Sequence, residues 1–243
     1  MEKTLKGHYT MARITYFGVD IIESDKNELN RENYAVIDKR PSTNIEHFQK
    51  MYKRMPEEYS KCFEDETCEA YTDSWCEKHR EKCMKNFDLN MQYMEKISKE
   101  EFGSTLDAFI KKHRKIEQIF DLNDCKGMSG IYILVLDKYK QIYIGQSTNI
   151  KNRILSHWNK TKPFDRLLFG QVNKSILSID VFGAFDTTRI YVYPTEDNYR
   201  VEAKLVREMS SKYMLNRTAG GIGDNSEMVN LEIAAGAKHR NME

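Results

Sequence analysis

The sequence predicts an α+β fold, with a mostly helical N-terminal region followed by a small antiparallel β-sheet flanked by helices. Three observations carry this. Before about residue 125 the chain is rich in charge, and its apolar residues recur mostly at helical spacing. After Gly130, short runs of β-branched and aromatic residues take over, the pattern of strands. The change falls at Cys125-Lys126-Gly127-Met128-Ser129-Gly130, and helical spacing returns only around 149–158 and 197–214.

With 243 residues the chain suffices for one large domain or two small ones. The pattern divides it into a mostly helical domain over 1–127, a second domain over 128–224 and a tail over 225–243. A net charge of +1 excludes a global basic field, so nucleic-acid binding would have to use local patches. The longest unbroken apolar stretch, Ile131 to Leu136, is far too short to span a bilayer, and no apolar run follows the charged start. The expectation is a soluble, cytoplasmic protein with no membrane partner. The five cysteines are an odd number, and disulfides are not expected in that setting. Cys62, Cys68, Cys76 and Cys83 cluster with His79, a ligand set that zinc favours, but at irregular spacing and without a CxxC pair. Cys76, His79 and Cys83 share one helical face, which suits packing. Buried thiols are the expectation and structural Zn²⁺ the alternative.

In chain order, Ala12 to Ile22 reads as one strand or two short ones, with Tyr34 to Asp38 a candidate partner. Ser42 or Thr43 stands as an N-cap before Ile45-Glu46-His47-Phe48, with Phe48, Met51 and Met55 on one face. Further helices are predicted over 66–86, 89–100 and 104–119, the last from the stripe Leu106, Phe109, Ile110 and Ile116. That helix is expected to carry the basic run Lys111, Lys112, Arg114 and Lys115, either a solvated face or a set of phosphate contacts. Ile131 to Leu136 and Gln141 to Gly145 flank Asp137-Lys138-Tyr139-Lys140 as a β-hairpin. Thr148 or Asn149 caps a helix reaching about Trp158. Ile176 to Phe185 and Thr188 to Tyr193 read as strands interrupted near Asp186, and Pro194 ends the last because it cannot donate to a ladder. A helix is predicted over 197–214, and Gly220-Gly221-Ile222-Gly223 is expected to stop ordered structure before a loosely held tail.

Chemistry concentrates in two places. On the helix at 149–158, Ile150, Ile154 and Trp158 define an apolar face, while Arg153 and His157, also four apart, share the neighbouring one. An arginine there can hold a phosphate bidentately, and a histidine can accept or relay a proton. On the last helix, Val201, Leu205, Val206, Met209 and Tyr213 make an apolar arc, and Glu202 falls inside it. A buried carboxylate is costly unless a cation or an ion pair relieves it. A divalent cation and a salt bridge, for example to Arg153, are both open at this point.

Residues 130–157 read GIYILVLDKYKQIYIGQSTNIKNRILSH: Gly130-Ile131-Tyr132, ten residues, Tyr143-Ile144-Gly145, then Arg153 and His157. This stretch resembles the core of the GIY-YIG nuclease family. Glu202-Ala203-Lys204-Leu205-Val206 followed by Tyr213-Met214-Leu215-Asn216 is similar to the family's closing motif. The resemblance covers about 128–219 and implies a three-stranded antiparallel sheet flanked by helices, forming the GIY-YIG nuclease core. It implies catalytic roles for Tyr132, Tyr143, Arg153, His157, Glu202 and Asn216, with Glu202 binding Mg²⁺ or Mn²⁺ and Asn216 steadying the site. It leaves open whether Tyr132 or Tyr143 is the general base. The implied substrate is double-stranded DNA, and cutting both strands suggests a homodimer. Residues 1–127 would then serve DNA binding or dimerisation, with Lys111, Lys112, Arg114, Lys115 and Lys151 as candidate DNA contacts.

Two departures bear on the biological role. Residues 159–186 are longer than the family's minimal linking segment, the stretch IDVFGAFDTTR ending at Arg189 is a candidate for structure particular to a subgroup, and Gln146 stands where the excision-repair relatives carry lysine. With the nuclease-like part second in the chain, the pattern points to a restriction or phage-defence enzyme. A homing or mobile-element nuclease, a structure-specific repair nuclease, and a non-catalytic DNA-binding or zinc-binding interaction module are the alternatives.

Overall fold

Strand β4 (Gly130–Leu136) is buried at every position. Side chains alternate across a strand, so both of its faces need cover. In this computed structural model, which describes residues 12–43, 45–52 and 57–217, both faces have it. Tyr132, Leu134 and Leu136 belong to one apolar cluster, with Ile150, Ile154, Trp158, Ile190 and Val192. Ile131, Ile133 and Val135 belong to another, with Ile142, Ile144, Tyr191, Leu205, Met209 and Tyr213.

Strand β4 lies inside a sheet that also holds β3 (Glu117–Ile119), β5 (Gln141–Ser147) and β6 (Arg189–Pro194), in the order β3-β6-β4-β5 and antiparallel throughout. The expected hairpin is present, with Tyr132 opposite Gly145 and Leu134 opposite Tyr143. The sheet has four strands where three were expected. The extra one comes from a segment read as helix, because Ile116 and Ile119 fit a helical stripe as well as a strand and only the free edge of β6 decides between them. Residues 214–216 extend the other edge: Ile142 bridges Met214 in parallel, and the Leu215 N–H donates to the Ile142 carbonyl at 2.8 Å.

One face of the sheet is covered by α4 (Lys99–Lys112) and α6 (Asn198–Glu208), through Phe102, Leu106, Phe109 and Leu205. The other is covered by α5 (Ile150–Asn159) and by N-terminal residues including Tyr34, Phe63, Phe87 and Met94. Each cluster thus draws on residues from both sides of position 127. The first strands, here numbered by chain position as β1 (Arg13–Tyr16) and β2 (Val19–Ile22), form a separate hairpin, and two short helices, α1 (Ile45–Tyr52) and α2 (Glu57–Ser60), precede the long α3 (Asp73–Lys96).

Several expectations are corrected. Helices predicted over 66–86 and 89–100 are replaced by the single α3, which starts at an N-cap on Thr72. It contains no Gly or Pro, and Asn86 and Asn90 turn their amides to carbonyls of the chain near 172–175 instead of breaking it. The helix predicted over 104–119 runs from Lys99 to Lys112, with Ser98 accepting from the Glu101 N–H. Arg114 and Lys115 therefore lie in a turn beyond it, not on it. Tyr34 to Asp38 forms no strand; a left-handed Ala35 follows the buried Tyr34 there. The strand expected over 176–185 is absent. Its apolar residues are buried in irregular chain with 3-10 turns at Ile179–Val181 and Ala184–Asp186. Asp186 makes that conformation specific, accepting from Leu29 N–H, Gly183 N–H and the Tyr139 hydroxyl at 2.6–2.9 Å. The helix predicted to 214 stops at Glu208, followed by a 3-10 turn at Ser211–Tyr213. Asn149, not Thr148, caps α5. The side chains of Phe48, Met51 and Met55, the 220–223 glycines and the tail lie outside the described residues.

Asn216 continues the 214–216 extension with its side chain. Its Oδ1 accepts the Ile144 N–H at 3.1 Å, and its Nδ2 donates to the Ile144 carbonyl at 2.7 Å, all buried. A buried backbone group left without a partner costs about 1–3 kcal/mol. Asn216→Ala orphans two, so urea unfolding should show a stability loss of roughly 2–4 kcal/mol. Asn216→Asp should also be destabilised, since a carboxylate cannot donate to that carbonyl.

Candidate active site

The turn of the β4–β5 hairpin sets the two tyrosines diagonally on one face of the sheet, Tyr132 opposite Gly145 and Tyr143 opposite Leu134. Gly145 is required sterically. A Cβ there would run into the Tyr132 phenol oxygen and ring, so only glycine lets that phenol lie across β5. Gly130, with φ at +153°, sits where a Cβ would strike the Tyr193 carbonyl. The two glycines of the motif therefore serve close approach, one of side chain to backbone and one of strand to strand.

Helix α5 packs on that face by Ile150, Ile154 and Trp158, and this rotation buries His157 to 3 % exposure while leaving Arg153 at the surface. The His157 Nε2 lies 2.8 Å from the Tyr132 hydroxyl, and its Nδ1 lies 2.6 Å from Asp180 Oδ1. Burial works to raise the Asp180 carboxyl, but the hydrogen bond from His157 and the charges of His157, Lys162 and Lys160 hold it below the usual carboxylate value. An ionised carboxylate only accepts, so Nδ1 carries the proton. Burial lowers the His157 pKa, with Asp180 opposing, so the ring is neutral near pH 7. Nε2 is then an acceptor, and the Tyr132 hydroxyl donates to it.

The phenols are not ready-made bases. Burial holds Tyr132 well above the ordinary phenol value, with Tyr143 and Glu202 adding to the rise and Arg153 opposing it. Tyr143, half-buried, is pushed up to about 12 by burial and by Glu202, against Arg153 and Tyr132. Arg153 in turn is raised despite its own partial burial by the phenols and Asp180. Its guanidinium is thus the cation of a cluster whose other members are two phenols and two carboxylates.

Glu202 is 3 % exposed on α6, inside the apolar arc that the sequence shows, and near enough to both phenols to raise their pKa values. Asn198, one turn earlier, donates to the Ser129 hydroxyl at 3.0 Å and so ties the start of α6 to the entry of β4. As donors for a divalent cation the residues present offer one hard carboxylate beside an arginine. That fits Mg²⁺, which takes one or two carboxylates and completes its shell with water and substrate phosphate.

The structure thus brings Tyr132, Tyr143, Arg153, His157 and Glu202 together, with Asn216 bonded to the residue between Tyr143 and Gly145. The basic candidates have partners of their own or stand exposed. Lys112 pairs with Glu208 at 2.6 Å, Lys115 stands 5.9 Å over the Tyr193 ring, Lys111 and Arg114 are exposed, and Lys151 donates to Asn123 Oδ1 at 2.6 Å. Among the described residues no group of three or more His, Cys, Asp or Glu is placed to hold a metal ion. Cys68, Cys76 and Cys83 are buried thiols whose pKa values burial raises. His79 stacks on Trp75 and donates to the Phe164 carbonyl at 2.9 Å. Asp180 is the site residue that the sequence reading missed. Its signal was present: like Glu202, it is a carboxylate inside an apolar stretch.

No curated protein and no solved structure matches the chain. Residues 128–214 match the family model described as the GIY-YIG catalytic domain. The matched span holds β4, β5, α5, β6 and α6 and every residue of the cluster except Asn216, two positions beyond its end. The span that is similar to this family bears the hairpin and the site described above.

Proposed function

We propose that the protein is a metal-dependent endonuclease that hydrolyses phosphodiester bonds of double-stranded DNA. The observation that carries this is the convergence of two phenols, a surface guanidinium, a neutral imidazole and a buried carboxylate on one hairpin. Arg153, exposed beside the phenols, would bind the scissile phosphate and neutralise charge that develops on its oxygens. Glu202 would hold Mg²⁺ or Mn²⁺. When bound, such an ion supplies Lewis acidity at the phosphate and at the leaving oxygen.

A phenol with a raised pKa takes a proton from water only if its own proton has somewhere to go. Tyr132 meets that condition, because its hydroxyl stands 2.8 Å from His157 Nε2, which can accept its proton. We assign it as the base on that ground. One observation favours Tyr143 instead: it is half-buried, whereas Tyr132 is fully covered in the protein alone.

The biological reading is a restriction or phage-defence enzyme acting as a dimer. What supports it is the order of the chain, with about 125 residues before the matched domain, and the long 159–186 segment. Homing, mobile-element and repair nucleases are the alternatives within the class, and a non-catalytic DNA-binding module is the alternative outside it. Residues 1–127 would serve DNA binding or dimerisation. Cytoplasmic location remains part of this proposal; among the described residues no helix is long and apolar enough to cross a membrane.

Plasmid DNA should be cut with Mg²⁺ or Mn²⁺ and left intact with EDTA; equal cutting in both would overturn metal dependence, and no cutting in either would favour the binding module. Glu202→Gln should lose roughly a thousandfold or more in rate while keeping DNA affinity, since it removes the charge that holds the cation and a negative charge near the phosphate. Arg153→Ala should lose both rate and affinity.

Comparison of Tyr132→Phe with Tyr143→Phe decides the base. The first is expected to cost about a hundredfold or more, the larger loss of the two. A larger loss in the second would transfer the assignment to Tyr143.

A site of this kind with one cation cuts one strand, so concerted double-strand cutting needs two copies. Sedimentation with substrate DNA should show two protein chains per duplex. One chain per duplex together with concerted cutting would refute the dimer.

A further inference from the structure

We infer that Asp180 is a positioning residue for the reaction, selecting the Nδ1-protonated tautomer of His157 and so making Nε2 the acceptor for the Tyr132 proton. The consequence for catalysis rests on the nuclease reading above; the effect on the imidazole does not.

The geometry carries the inference. A neutral imidazole has one N–H and one acceptor nitrogen, and the hydrogen bond at one nitrogen sets the role of the other. Asp180 Oδ1 stands 2.6 Å from Nδ1, and the Tyr132 hydroxyl stands 2.8 Å from Nε2. With the other tautomer, Nε2–H would donate to the phenol oxygen. That would occupy one of the phenol oxygen's two lone pairs, the other being engaged by Arg153, and the phenol proton would have no acceptor on His157.

Asp180 is itself held. Lys162 Nζ lies 3.9 Å from Oδ2, and Lys160 adds positive charge nearby. Arg217, which donates to the carbonyls of Ile176 and Leu167, is also coupled by charge to Asp180. His157 faces Arg153 and Lys160 as well as Asp180, and the Tyr143 ring lies edge-on to it at 5.3 Å. Asp180 is therefore the counter-charge for an imidazolium among several cations.

The proton balance closes. Water gives a proton to the Tyr132 oxygen as the phenol proton passes to Nε2. The water oxygen bonds to phosphorus, and the bond from phosphorus to the leaving oxygen breaks. The imidazolium, stabilised by Asp180, returns its Nε2 proton through the phenol to solvent, and solvent protonates the leaving oxygen.

The test uses the full chain labelled with ¹⁵N-histidine, the His157 signals being assigned by their loss in His157→Gln. In the wild type the neutral ring should be protonated at Nδ1; an Nε2-protonated ring would overturn the inference. In Asp180→Asn the tautomer should shift toward Nε2–H, and the His157 pKa should fall by about one unit or more, since a neighbouring carboxylate has lost its charge. An unchanged tautomer and pKa in that variant would equally overturn it. Cleavage by Asp180→Asn should fall about a hundredfold or more, with the acid limb of its pH–rate profile moved to lower pH. Asp180→Glu, which keeps the carboxylate, should retain more activity than Asp180→Asn. Wild-type protein that cuts no DNA would sink the nuclease reading, while the tautomer measurement would still decide the role of Asp180.

Discussion

The double-sided burial of β4 is the constraint on which the rest of the structure depends. A strand of seven residues, apolar from Ile131 to Leu136 and covered on both faces, is stable only if two separate layers are supplied. The residues around the hairpin supply part of each. Helices α4 and α6 close one face, and α5 with the N-terminal residues closes the other. Helix α4 is tied to α6 by Lys112 and Glu208 as well as by packing. The N-terminal residues therefore share the apolar cluster under the tyrosine hairpin, besides any role of their own.

The same burial creates the chemistry. A phenol and an imidazole removed from water cannot easily ionise, and this keeps His157 neutral and both tyrosines protonated. Each polar atom must then find a partner inside the protein. The result is an ordered chain of bonds from Tyr132 through His157 to Asp180, with the direction of donation set by the ionised end. Arg153 stays at the surface.

The 159–186 segment joins these two themes. It has little regular structure and is held from several sides by polar bonds: Asn86 to the Val172 and Ser175 carbonyls, His79 to the Phe164 carbonyl, Arg217 to Ile176 and Leu167, and Asp186 to Leu29. Tyr71 and the Ser42 N–H both reach Asp165 Oδ2. Helix α3 thus anchors a segment whose inner end places a carboxylate behind His157.

The sequence by itself determined the hairpin, the helix after it and the helix that carries Glu202, because these rest on local periodicity. Apolar residues at Ile150, Ile154 and Trp158 fix the rotation of α5 and so the faces of Arg153 and His157. A carboxylate within the arc of Val201 and Leu205 marks Glu202. Tertiary structure decided what depended on distant partners. Residues 117–119 are a strand because β6 offers an open edge, not because of their own pattern. The apolar run at 176–185 is irregular because Asp180 and Asp186 are satisfied by His157, Leu29 and Tyr139, residues far away in sequence. Asp180 stands out in the sequence as a carboxylate in an apolar stretch, but its partner does not: that ring lies 23 positions earlier, and no spacing rule connects the two.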